Sequence, residues 1–199
     1  MTYLDYKIKE VHMSTIQNDN AILKAIKERR SIRSFKNEKV DRAVMQSIVE
    51  VSRFAPSWAN TQIIRYTIVD DKNIIQQIGN NAVNGFTYNT NTLANAPGLA
   101  VLSYVQGRSG KLSQNDYATS KGAEWEMFDA GIACQSFCLA SHAKGVGTVI
   151  MGVIDDERIS TILNLPKDQK VAAIIAYGYP NESPAPSPRH DTAALMKFV

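Results

Sequence analysis

The chain has 199 residues, a length that fits one domain or one compact unit of a dimer. It is 44% hydrophobic and 21% charged, ordinary values for a globular fold. A net charge of only +3 gives no reason to expect a nucleic-acid partner, and no apolar run approaches the ~20 residues of a membrane span. The two cysteines, Cys134 and Cys138, stand at i, i+4 among apolar residues. That excludes a disulfide framework and a CxxC pair, and they read as small buried hydrophobes. Residues 1–13 lack the apolar stretch of a signal peptide, so a cytoplasmic location is expected by default.

In chain order, residues 1–19 are polar without a clear period and read as an N-terminal extension; residues 20–199 read as one domain. A first helix is expected over 20–30, with Ile22, Leu23 and Ile26 on one face and Asp19 or Asn20 as its cap. Asp41 opens a second helix, whose apolar stripe is Val44, Met45, Ile48 and Val49; it stops at Ala55-Pro56. The stretch 55–62 is a loop by its Pro, Ser and Asn content. A strand over 66–69 and a helix over 72–79 follow, then an Asn-rich connection over 80–95. Residues 99–104 read as a strand introduced by Pro97-Gly98. The polar, Gly/Ser-rich 106–122 segment is long enough to be a lid, a binding loop or disorder.

Residues 123–144 form the most apolar helix, with small residues interleaved among Trp125, Phe128, Ile132 and Phe137, so it is expected at the centre of the fold. Gly145 suits its C-terminal cap. A glycine-bounded apolar stretch covers 146–152, a helix 156–163, and a buried strand 171–177. The Pro-rich tail, 180–199, cannot form a core of its own and should wrap over a neighbour or a second subunit. Helices and strands do not alternate as a clean βαβ series. The expected class is therefore α+β, a mixed central sheet flanked by helices.

The basic stretch Arg29-Arg30-Ser31-Ile32-Arg33 stands out. Residues 1–53 hold 11 of the 22 Lys and Arg, which fits a local anionic ligand. Arginine forks pair with phosphate oxygens, and Ser31 adds a donor. The alternative is a solvated cap at a helix C-terminus. Gly145-Val146-Gly147 lacks the third glycine of a dinucleotide fingerprint and follows a helix, not a strand. There is no P-loop, no GxSxG elbow and no metal-ligand spacing for His12, His142 or His190. What remains is a distributed set: the 29–33 cluster, Pro56-Ser57-Trp58-Ala59-Asn60, the 148–152 segment and Arg189. A phosphate-bearing ligand with a planar heterocycle would use such parts. No conventional acid/base or nucleophile cluster is present, so the chemistry would belong to a cofactor.

The order of these segments resembles the FMN-dependent nitroreductase family. Arg-x-Ser-x-Arg follows the first helix and Ala-Pro-Ser-x-x-Asn-x-Gln the second. Ala94-Asn95-Ala96-Pro97, Asp129-Ala130-Gly131-Ile132-Ala133, Gly145-Val146-Gly147-Thr148, Gly178-Tyr179-Pro180 and Arg189 continue the pattern. The resemblance implies an intertwined homodimer with an exchanged C-terminal tail and two FMN sites at the interface. Arg29, Arg30, Ser31 and Arg33 would meet the FMN phosphate, ribityl chain and pyrimidine edge, and Arg189 would return to the phosphate. Pro56, Ser57, Trp58 and Asn60 would come from the other subunit. Asn89 would lie near the pyrimidine ring, with Asn84 and Asn91 as alternatives. Ile150, Met151 and Gly152 would pass the ring, the Met151 amide nearest its reactive nitrogen.

The implied activity is ping-pong transfer from NADH or NADPH through FMN to a small-molecule acceptor such as a nitroaromatic or quinone. An enone reductase, a flavin-cleaving oxygenase and a non-catalytic FMN-binding protein are the alternatives. Trp58 departs from the small residue that many relatives carry there; it narrows the pocket, stacks on substrate or packs an interface. The family's dehalogenases grip substrate with a Glu/Tyr/Lys set, and no Glu occurs between Glu50 and Glu124.

Overall fold

The computed structural model describes residues 20–113 and 116–199; the extension expected over 1–19 lies outside them. The helices are α1 (Ala21–Glu28), α2 (Arg42–Ser52), α3 (Lys72–Asn81), α4 (Thr87–Asn95), α5 (Glu124–Ala143), α6 (Asp156–Ile162) and α7 (Thr192–Leu195). The strands are β1 (Ile64–Val69), β2 (Gly98–Val105), β3 (Gly147–Met151) and β4 (Gln169–Gly178).

The strands make one sheet in the order β1-β2-β4-β3, and every strand pair is antiparallel. Among the described residues, the parallel component of the expected mixed sheet is a single bridge, Ser31 to Thr148, at the free edge of β3. Period-two alternation divides the core between the faces. Leu99 and Val101 of β2 pack with Ile75, Ile78, Leu93 and Ile159, which come from α3, α4 and α6. Ala100, Leu102 and Tyr104 pack with Met45 and Ile48 of α2 and with Ala130, Cys134, Phe137 and Cys138 of α5. In β4, Val171 and Ile174 share a face although they are three residues apart. A bulge opposite Leu102 and Ser103 adds the extra residue that restores the alternation.

Local chemistry explains most boundaries. Asn20 and Asp71 cap α1 and α3 by accepting from the backbone N–H groups of Ile22 and Asn73. Gly145 ends α5 with φ of 74°, the left-handed conformation its position requires. The Asn-rich 80–95 connection contains α4, which the sequence reading missed. Asn and Thr are weak helix formers, and tertiary contact through Leu93 and the buried Asn89 and Thr92 supplies the stability. Cys134 and Cys138 are free and buried, as expected. Their mutual hydrogen bond, together with burial, pushes the Cys134 thiol far up.

α1 is amphipathic but buries no residue within the protomer. Ile22 is 65% exposed and Phe54, just beyond α2, 76%. With Leu139 and Ala140 of α5 they border an apolar groove of about 420 Å³. No helix of the described residues is long and apolar enough to cross a membrane.

Candidate functional site

α1 ends at Arg29, whose backbone N–H caps the Ala25 carbonyl. The chain then lies along the free edge of β3, where the Ile32 N–H donates to the Thr148 carbonyl at 2.9 Å. Ile32 turns into the core, which leaves its neighbours Ser31 and Arg33 on the opposite side. The start of the tail is zipped to the same segment. The Lys36 N–H donates to Tyr179 O at 2.8 Å and the Asn181 N–H to Ser34 O at 3.0 Å. Glu182 accepts from the backbone N–H groups of both Arg33 and Ser34.

This folding makes a cleft of about 440 Å³. Arg29, Arg30, Ser31 and Arg33 line one wall, and the tail from Pro184 to Ser187, with Arg189, lines the other. The distant Arg189 thus joins the early arginines. Arg30 donates to the Lys27 and Arg29 carbonyls, Arg33 to Ser31 O, and Arg189 to the carbonyls of Ser187 and Pro188. None of the four arginines has a carboxylate partner among the described residues. Glu182 is spent on backbone N–H groups. The cleft is therefore strongly cationic and is suited to a phosphate.

The bridge at Thr148 makes the rest of β3 continuous with this cleft. Met151 pairs with Ile174 of β4 and is buried. Ile150 is 46% exposed, and nothing lies within 4 Å of where a side chain at Gly152 would begin. Asn89 is buried against the end of this strand, its amide donating to Val153 O at 3.1 Å. Asn84 donates to Ile154 O at 2.9 Å, and Asn91 is exposed. Of the three candidate asparagines, Asn89 and Asn84 both reach the segment after β3. The exposed rings of Phe86 and Tyr88, 5.5 Å apart, flank this region of α4.

The loop carrying Pro56, Ser57, Trp58 and Asn60 does not join this set within one protomer. Pro56 and Ser57 line a different cleft, of about 320 Å³, with Arg53, Arg65, Tyr66 and Ala133. Trp58 packs against Trp125 with ring centroids 4.7 Å apart and planes tilted by 50°, and its indole N–H reaches Lys111 O. The 106–122 segment is built onto α5: Lys111 bridges to Tyr117, and the Trp125 indole donates to Thr119 at 2.8 Å. Glu182 escaped sequence reasoning, and Asp129 entered it only as the first residue of the Asp129–Ala133 motif, with no role assigned. A carboxylate in the second turn of the most apolar helix, just before its apolar run, was the available signal for Asp129; Glu182 left none.

The chain belongs to the nitroreductase family: the Nitroreductase family model matches residues 26–179. It is similar to an "FMN reductase [NAD(P)H]" of Bacillus subtilis, 28% identical over 180 residues that cover 85% of this chain and 70% of that one. It is also similar to an "Iodotyrosine deiodinase" of Thermotoga neapolitana, 25% identical over 170 residues, 83% of this chain and 91% of that one. A solved nitroreductase family protein from Clostridium novyi superposes with a TM-score of 0.71 at 25% identity, covering 83% of this chain and 88% of that chain. Its fold and family are those of oxidoreductases.

Proposed function

We propose that this chain is an FMN-dependent oxidoreductase that takes electrons from NADH or NADPH and passes them to electron-poor acceptors such as nitroaromatics or quinones. The observation that carries the reading is the cleft where Arg29, Arg30, Ser31, Arg33 and Arg189 converge, its arginines without a carboxylate partner among the described residues, beside the strand edge of β3. That donor set fits a phosphate dianion, and the edge from Thr148 to Gly152 offers a flat backbone surface for a ring. When bound, FMN supplies the two-electron redox chemistry.

The chain's own residues hold and orient. The arginines and Ser31 grip the phosphate by charge-assisted hydrogen bonds. Ile150, Met151 and Gly152 lie along the ring. Asn89 supports that strand end, and Arg33 adds positive charge at the ring's polar edge. Pro56, Ser57, Trp58 and Asn60 would close the site from a second subunit, since none of them lines the arginine cleft of their own protomer. The exposed apolar residues of α1, α2 and α5 support a homodimer, with the tail residues Leu195, Met196 and Phe198 exchanged onto the partner. The ping-pong order follows from one ring face serving both donor and acceptor.

A dehalogenase reading, raised by the deiodinase relative, is disfavoured because no Glu lies between Glu50 and Glu124. The direct test is colour: purified protein should be yellow and should release FMN when denatured. A colourless protein that ignores added FMN sinks the proposal.

A further inference from the structure

The loop after α2 is the most strained backbone among the described residues. Five non-glycine residues among those described have positive φ, and three of the five fall within four positions of this loop: Ala59 at 43°, Asn60 at 55° and Gln62 at 50°. Such conformations persist only where the surroundings over-determine them, and they concentrate at sites that hold ligands.

One buried carboxylate does most of the holding. Asp129, on α5, is 2% exposed. Its Oδ1 accepts from the Trp58 N–H at 3.0 Å, and Oδ2 lies 3.2 Å from the same nitrogen. Oδ2 also accepts from the Ser109 hydroxyl at 2.6 Å, and that hydroxyl is 2.8 Å from Thr61 Oγ1. Asp129 therefore grips the first residue of the strained turn directly and its far side through Ser109. The same bond fixes the start of the 106–122 segment. The tilted packing of Trp58 against Trp125, one helical turn before Asp129, depends on this arrangement.

We propose that Asp129 is a positioning residue: its carboxylate fixes the 58–62 turn so that Trp58 stands as a rigid aromatic wall. The wall faces the acceptor side of the flavin site contributed by the other subunit. The proposal rests on the flavin reading for what the wall faces, not for how the wall is held. Asp129 is too buried to touch a ligand and acts through Trp58. Without it the turn relaxes out of its left-handed conformations, and the indole loses its fixed place.

The test uses the full chain and Asp129→Asn, which keeps the side-chain size but replaces one acceptor oxygen with an NH2 group. Trp58 and Trp125 are the only two tryptophans, so near-UV circular dichroism reports their pair without any flavin. The expected result is loss of that indole signal with the far-UV spectrum retained. Fluorescence of bound FMN should also rise, because the indole no longer quenches it. kcat/KM for a planar quinone should fall on the order of 10–100-fold. Retained indole signal, flavin fluorescence and kinetics overturn the proposal. Should Asp129→Asn fail to fold, Ser109→Ala decides: it removes one donor, should move the same readouts in the same direction, and overturns the proposal if it leaves them unchanged. A wild type that binds no flavin defeats the reading of the site, while the circular dichroism comparison still judges Asp129.

Discussion

The Ile32 N–H donates to the Thr148 carbonyl at 2.9 Å, and this bond lays the basic stretch along the free edge of β3. The contact is close. A Cβ placed on Gly147 would lie 2.8 Å from Ile32 Cγ1, 2.9 Å from its Cβ and 3.0 Å from Pro180 Cγ. Gly147→Ala should therefore push the arginine stretch off the strand. Denaturant unfolding should register a loss of about 1–3 kcal/mol from overpacking, and flavin titration should register weaker FMN binding. Unchanged values in both would show that the strand edge does not position the arginines.

The convergence of Arg29 and Arg189 on one cleft makes a second prediction. Arg29→Ala and Arg189→Ala should each weaken FMN retention by about 1–3 kcal/mol, the scale for losing a charged hydrogen-bond partner. Equilibrium titration of the flavin-free protein checks this, and the loss should shrink at high salt. Full affinity in both variants would leave the cluster as a solvated helix cap.

Much of this arrangement can be read from residue order, and some cannot. The helices with strong apolar stripes, α2 and α5, follow from the 3.6-residue period, and the buried strands β2 and β4 from continuous apolar runs. α4 does not, because Asn and Thr favour it only through contacts made elsewhere in the chain. The arginine cluster is visible as local composition, but its pairing with Arg189 depends on the zipper between residues 34–36 and 179–181, which leaves no local pattern. The bulge in β4 and the grip of Asp129 on Trp58 are likewise long-range. The edge position of β3 is invisible in its sequence, since a short apolar run looks the same at the edge and in the centre of a sheet.

A third prediction concerns assembly. Phe54, Ile22 and Ile26 expose apolar surface that one protomer leaves uncovered. Phe54→Asp should shift the protein from dimer to monomer in light scattering and lower its flavin content in parallel, because Pro56–Asn60 would no longer reach a partner's site. A wild-type monomer that retains full flavin would contradict the shared-site reading.

A fourth concerns alkaline pH. Burial pushes the Tyr177 hydroxyl from its ordinary value near 10 up to about 12. The unfolded chain releases this proton first, so the stabilisation is present in full below about pH 10 and is lost as pH rises through about 12. Between pH 9 and 11, wild type should lose about 1 kcal/mol more than Tyr177→Phe in urea unfolding. Equal slopes would remove Tyr177 from the alkaline transition.

Electron flow is the property that matters most, and anaerobic mixing of the FMN-loaded protein with NADH and, separately, NADPH reads it directly. The flavin absorption should bleach with at least one donor and return when a nitroaromatic or quinone is added. Bound flavin that stays oxidised with both donors would make this chain an FMN-binding protein and not a reductase.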